Sequence, residues 1–167
     1  MAEIKNIEGG MYDLDEGSYL ILVNPEKIPH LVYLQDGRYY SLTYKGIELA
    51  YSFFPYLEKL VRAQKKFIVL EMDVIDKSPF QVFSKYLETY EESTCFYPVR
   101  DLLAEDSKAD MIFELIPELY DLDVIKSARH FGMEDLIDKN GNFKMSEYSL
   151  EEIKSYIAKL KSKYVER

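Results

Sequence analysis

The sequence predicts a single α+β domain: a small antiparallel sheet of about four strands, drawn from the first half, packed by helices that come mainly from the second half. Three observations predict it. The chain has 167 residues with 47% hydrophobic content, including 15 Tyr and 9 Phe, which is enough for one sizeable core. Residues 30–44 read as two strands around an Asp-Gly turn, and beyond residue 78 apolar residues recur at helical spacing behind capping residues. The domain then divides into an N-terminal arm at 1–16, a sheet-containing core at 17–103 and a helical C-terminal part at 104–167.

In chain order, the opening carries Gly9-Gly10 and little periodicity, and reads as an arm or a short edge strand. Tyr19 to Val23 is an apolar run ended by Asn24-Pro25, a turn pair. His30 to Leu34 and Tyr39 to Tyr44 form a hairpin whose Asp36-Gly37 turn meets the positive-φ demand of a type I′ loop. That turn pairs Gln35 with Arg38, Leu34 with Tyr39, Tyr33 with Tyr40, Val32 with Ser41 and His30 with Thr43. One face then carries Leu31, Tyr33, Tyr40 and Leu42 as core. The other carries His30, Val32, Leu34, Tyr39, Ser41 and Thr43, with the histidine among hydroxyls.

From Gly46 to about Gln64 apolar residues recur at helical spacing, predicting two short helices or one kinked at Pro55. Phe67 to Val74 reads as a strand, and Ser78-Pro79 as the cap and first residue of a helix to about Tyr90 with Phe80, Phe83 and Leu87 on its stripe. Further helices are predicted near Pro98, over Met111 to Leu119 with an interruption at Pro117, and from an Asp123 cap to Gly132, with His130 as a partner of that helix's C-terminal dipole. Ser149 to Glu152 is a capping box opening a last helix, with Leu150, Ile153, Tyr156, Ile157, Leu160 and Tyr164 on one stripe.

Composition narrows the function classes. The net charge of −9 repels phosphate backbones, so nucleic acid is not an expected partner. The first twenty residues lack a basic segment followed by an apolar one, which predicts neither signal peptide nor membrane span, and the lone thiol suits the cytoplasm. Two histidines and one cysteine do not make a zinc cage, and no glycine-rich phosphate loop occurs, so no cofactor or metal is expected. Asp138 to Asn142 mimics the start of a calcium loop, but Phe143 and Ser149 stand where Gly and Glu are needed, which leaves an Asn-Gly turn.

The candidate catalytic residues are Cys95, His30, Ser41 and Thr43. Cys95 follows Ser93-Thr94, either of which can cap a helix, and a helix N-terminus stabilises a thiolate. Pro98 pulls the other way, since as a first helical residue it would leave Cys95 in the preceding loop. A cysteine nucleophile needs a base and a group that orients the base; His30 supplies the first, and Ser41 or Thr43 the second. Taken singly, Cys95 also reads as a buried small hydrophobe and His30 as a structural strand histidine.

The phrase from Ile28 to Leu42, with its histidine at the start of a strand, is similar to the histidine segment of the permuted papain-like NlpC/P60 proteins. In those the histidine strand precedes the cysteine helix, and Thr94-Cys95 to Leu103 stands in the corresponding place. The resemblance covers residues 17–103. It implies cysteine hydrolysis or transfer at the amide or ester bonds of a peptide or small substrate, with Cys95 as nucleophile and His30 as base, or an inactive relative. The third polar position, Ser41 or Thr43, and Pro98 depart from the family pattern.

A different class of function is also open. Between Asp101 and Val124 there are eight acidic residues and one lysine, a local charge of −7. This segment reads either as a solvated face or as the surface of a non-enzymatic interaction module, of immunity or adaptor type, for a basic protein partner through 101–124.

Overall fold

A computed structural model describes residues 2–86 and 94–165, the last two of these in backbone only. The fold is α+β, but the sheet is larger than the sequence predicts. Instead of about four antiparallel strands, the described residues form seven in one mixed sheet, in the order β2 (Ile7–Gly9), β8 (Ile125–Phe131), β7 (Phe67–Met72), β3 (Ser18–Val23), β4 (His30–Gln35), β5 (Arg38–Thr43) and β6 (Gly46–Ser52), and a separate two-stranded ribbon, β1 (Glu3–Ile4) with β9 (Phe143–Lys144).

The meander at the centre follows from local sequence. β3 (Ser18–Val23), β4 (His30–Gln35) and β5 (Arg38–Thr43) pair antiparallel in order, and the β4–β5 register is the one the turn dictates, with Tyr33 opposite Tyr40 and Gln35 opposite Arg38. Asp36 and Gly37 both have positive φ, as a type I′ turn requires. The ladder between β4 and β5 stops at Tyr33 and Tyr40, short of the pairs the turn register continues into, while β4 stays paired with β3 up to His30.

Two predicted helices are strands. β6 (Gly46–Ser52) pairs with β5, and only Phe53–Arg62 forms α1. Ile47, Leu49 and Tyr51 alternate with the period of a strand while Ile47, Ala50 and Phe53 recur at helical spacing, and pairing with β5 decides between the two periods. Pro55 falls at the third position of α1, within the first turn, where its missing N–H has no intrahelical partner to lose. The second is β8 (Ile125–Phe131), which pairs antiparallel with β7 (Phe67–Met72) and parallel with β2 (Ile7–Gly9). Asp123 caps no helix start. With φ of 57° it is the left-handed end of the preceding helix, and the Val124 N–H reaches back to the Leu119 carbonyl.

The remaining helices follow their caps. Ser78 accepts from the Gln81 N–H and Pro79 opens α2 (Pro79–Ser84); the predicted continuation through Leu87 to Tyr90, like Ser93 and the Tyr164 side chain, lies outside the described residues. Phe80 is exposed rather than on the buried stripe. α3 spans Phe96–Leu103 with Pro98 third, so Cys95 is its N-cap residue; α4 (Ile112–Asp121) runs through Pro117. Ser149 accepts from the Glu152 N–H at the start of α5 (Leu150–Val165), and Asp138 Oδ1 accepts from the Asn140 and Asn142 N–H groups around the Asn140-Gly141 turn.

Both sheet faces are buried, whereas the sequence assigns core to one. Leu20, Leu22, Leu31, Tyr33, Ile68 and Leu70 pack under α2, α3 and α4, with Phe83, Val99 and Leu115 from those helices. On the other face Ile21, Val23, Val32, Leu34 and Val69 pack against Phe53 and Leu60 of α1 and Leu14 of the arm. The arm is therefore part of the core, and it supplies β1 and β2. This second face explains the continuous apolar runs in β3 and β7, since a strand covered on both sides has no polar positions to alternate.

Candidate functional site

His30 and Cys95, 65 positions apart in the chain, line one cavity of about 300 Å³. It lies where β4 begins, bounded by the β3–β4 loop at Ile28 and Pro29, by β5 at Leu42 and Thr43, by Tyr56 of α1, and by Ile153, Ile157 and Leu160 of α5.

The shortened β4–β5 ladder shapes the site. Where β5 no longer pairs with β4, the backbone at Pro29 and Leu31 meets Cys95, whose thiol donates to the Pro29 carbonyl at 3.9 Å and whose sulfur is also stabilised by the N–H groups of Leu31 and of Cys95 itself. The thiol's hydrogen bond therefore goes to the residue before His30 and not to the imidazole. Burial pushes the Cys95 thiol up to about 11 against these N–H groups. Tyr56 and Tyr148 lie close enough to feel charge on the sulfur, and burial raises both phenols above their ordinary value.

His30 is held by one nitrogen. Its Nε2 lies 2.7 Å from Oγ of Ser41, a residue with no exposed surface, and its Nδ1 has no hydrogen-bond partner among the described residues. Burial lowers the imidazole to about 4, so near neutral pH the ring is uncharged and carries one proton. Thr43, directly across in the turn-derived register, does not reach it. The Thr43 hydroxyl donates to the Gly46 carbonyl and accepts from the Lys45 N–H, closing the β5–β6 turn.

Two further polar side chains on the wall are occupied within the fold. Thr94 accepts from the Phe96 N–H at the start of α3, and Glu48 accepts from the Tyr39 hydroxyl at 2.7 Å. Tyr56, Tyr148, Glu48 and the Pro29 carbonyl carry no signal in the sequence. Each comes from an element whose approach to β4 is set by tertiary packing.

The second histidine is elsewhere. His130 is a buried residue of β8, not a helix-end residue, and its Nδ1 accepts from the Met133 N–H at 3.3 Å. In the acidic segment, Asp101 pairs with Arg100 and accepts from Tyr86, Glu105 pairs with Lys77 at 2.6 Å, and Asp110 lies 3.8 Å from Arg100. Glu114, Asp121 and Asp123 are exposed. Among the described residues no cluster of three or more His, Cys, Asp or Glu side chains has metal-binding geometry, and no helix is long and apolar enough to cross a membrane. Compared with protein-family models, with curated proteins and with solved structures, the chain matches none.

Proposed function

We propose that the protein is a cysteine hydrolase or acyl-transfer enzyme of the permuted papain-like kind, acting at amide or ester bonds. Cys95 is the nucleophile, His30 the general base, and Ser41 a positioning residue that fixes the imidazole tautomer. The observation that carries the reading is the contact of 2.7 Å between buried Ser41 and His30, the histidine lining the same cavity as Cys95. With Nε2–H donating to Ser41 Oγ, the lone pair of Nδ1 is left to take a proton, which is the division of labour a base and its orienter need.

The lowered imidazole and the raised thiol mean that the resting pair is neutral rather than thiolate and imidazolium. The thiol then loses its proton to His30 in the attack itself, as the hydroxyl of a serine nucleophile does. A free thiol fits a reducing compartment, the cytoplasm in this proposal. In the acidic segment three of the eight carboxylates are engaged by Lys77 and Arg100 of the chain itself, while Glu114, Asp121 and Asp123 are exposed, and none of them enters the proposed reaction.

The test is the pH dependence of Cys95 alkylation by iodoacetamide, in wild type and in His30→Ala, followed by intact mass. A neutral pair predicts slow alkylation near neutrality, rising about tenfold per pH unit as the thiolate fraction grows toward the thiol's own titration at about 11. It also predicts covalent labelling by an activated ester that is lost in His30→Ala. Ester labelling indifferent to His30 sinks the assignment.

A further inference from the structure

A second cavity, of about 520 Å³, opens at the β2 edge of the large sheet and shares no lining residue with the one at His30 and Cys95. It exists because two strands part. β8 runs over Ile125–Phe131, but β2 covers only Ala128 to His130 of it, since at Asn6, with φ of 53°, the chain turns away to β1 and its partner β9. Among the described residues, Ile125, Lys126 and Ser127 therefore have no strand on that side, and they line the cavity. Its volume falls in the range of about 300–1,000 Å³ usual for small-molecule sites.

The lining is rich in donors. The chain carries −9 overall, yet Lys5, Lys126 and Arg129 meet here with one carboxylate on the wall, Glu8. Lys126 is shared with Asp73, 3.1 Å away, whereas no carboxylate among the described residues forms an ion pair with Lys5 or Arg129. Glu8 and Glu71 act on the Tyr12 phenol without pairing with Arg129. The two cations are held by other means. The Arg129 guanidinium lies 4.5 Å from the centre of the Tyr12 ring and donates to the Met11 carbonyl through Nη1, which leaves further N–H groups of its fork; the Lys5 ammonium lies 5.8 Å from the centre of the Tyr120 ring. Two hydroxyl protons add to this set. Tyr120 Oη accepts from the Lys5 backbone N–H, and its own proton has no acceptor among the described residues. One of Tyr12 and Ser127 donates to the other across 2.5 Å, which leaves the acceptor's proton for a third group.

We infer that this cavity binds a phosphate monoester of a small hydroxylated molecule. A phosphate group brings three terminal oxygens and a charge of about −1.5 to −2 near neutral pH, which matches two cations without carboxylate partners and the hydroxyl donors beside them. A neutral ligand would leave that charge unanswered. Glu8 only accepts hydrogen bonds, so it suits the ligand's hydroxyls rather than its phosphate, and buried Ile125 and Ala128 give the wall an apolar part for carbon. The site is independent of the hydrolase reading.

The test is isothermal titration calorimetry of the full chain with glucose 6-phosphate, with inorganic phosphate and glucose as separate titrants, together with nitrogen-15 chemical shifts. Glucose 6-phosphate should bind, shift the amides of Lys126 and Ser127, and bind more weakly as salt is raised. Removing either cation, in Lys5→Gln or Arg129→Gln, should weaken binding about tenfold or more, and Lys59→Gln, at an exposed lysine of α1, should leave it unchanged. The Lys5 side chain is exposed, so Lys5→Gln decides the matter even where Arg129→Gln fails to fold. No binding at millimolar ester, or binding indifferent to Lys5→Gln, overturns the site. Inorganic phosphate or glucose binding as tightly as the ester overturns the ligand class.

Discussion

Acidification from about pH 7 to pH 4 is expected to cost the fold about 3 kcal/mol through His30 alone. Burial takes the imidazole from its ordinary 6.5 to about 4, and each pH unit of difference between folded and unfolded states is worth about 1.36 kcal/mol. The folded-state value is the lower one, so between the two only the unfolded chain binds the proton. The contribution is therefore whole above about 6.5 and is lost as the pH falls toward 4.

Urea denaturation of wild type and of His30→Gln at several pH values in this window isolates the effect, because the carboxylates are common to both chains. Wild type should lose about 3 kcal/mol more than the variant, or about 6–12 °C in Tm for a chain of this size. The imidazole resonances should titrate with a midpoint near 4. Parallel stability curves for the two proteins, or a midpoint at the ordinary value, would refute the reasoning that places a neutral base in the cavity.

The remaining predictions concern the groups that hold the site and the sheet around it. Ser41→Ala leaves the buried His30 Nε2 without its partner, so it should destabilise the fold by about 1–3 kcal/mol; if Nε2–H is the donor, as the proposed function requires, nitrogen-15 spectra of His30 should show the Nε2–H tautomer in wild type and its loss in the variant. Leu70→Ala, at a fully buried position of β7, should cost roughly 2–5 kcal/mol in chemical denaturation, whereas the solvent-exposed Val74→Ala should fall within about 0.5 kcal/mol of wild type. Gly37→Ala should cost about 1–2 kcal/mol from backbone strain alone, since φ there is +78° and an added Cβ would meet its nearest neighbour, the Asp15 carbonyl oxygen, at an ordinary 3.7 Å. A smaller loss there would mean that the turn relaxes to another type.

Local chemistry carries far where turn and cap residues decide the outcome. Asp36-Gly37 set the register of β4 against β5 as far as Tyr33 and Tyr40. Ser78-Pro79 and Ser149 with Glu152 start their helices where the sequence predicts, because each side chain satisfies an N–H that the helix leaves open. The same reasoning fails for residues 46–52 and 125–131. Their apolar spacing fits two periods, and it is the exposed edges of β5 and β7 that make them strands.

The site divides along the same line. The sequence by itself puts a histidine at the start of a strand with Ser41 on a nearby strand, and a cysteine beside the start of a helix, because those placements depend on neighbours a few residues away. Only the tertiary structure decides that α3 brings Cys95 to the Pro29 carbonyl, that Ser41 rather than Thr43 holds the ring, and that α1 and α5 close an apolar cavity around them. The ladder between β4 and β5 keeps the register implied by the turn but ends short of His30, and no local pattern encodes where it ends. Burial then reverses the charge state a helix N-terminus alone would favour, since desolvation of the thiol outweighs the N–H groups that face it.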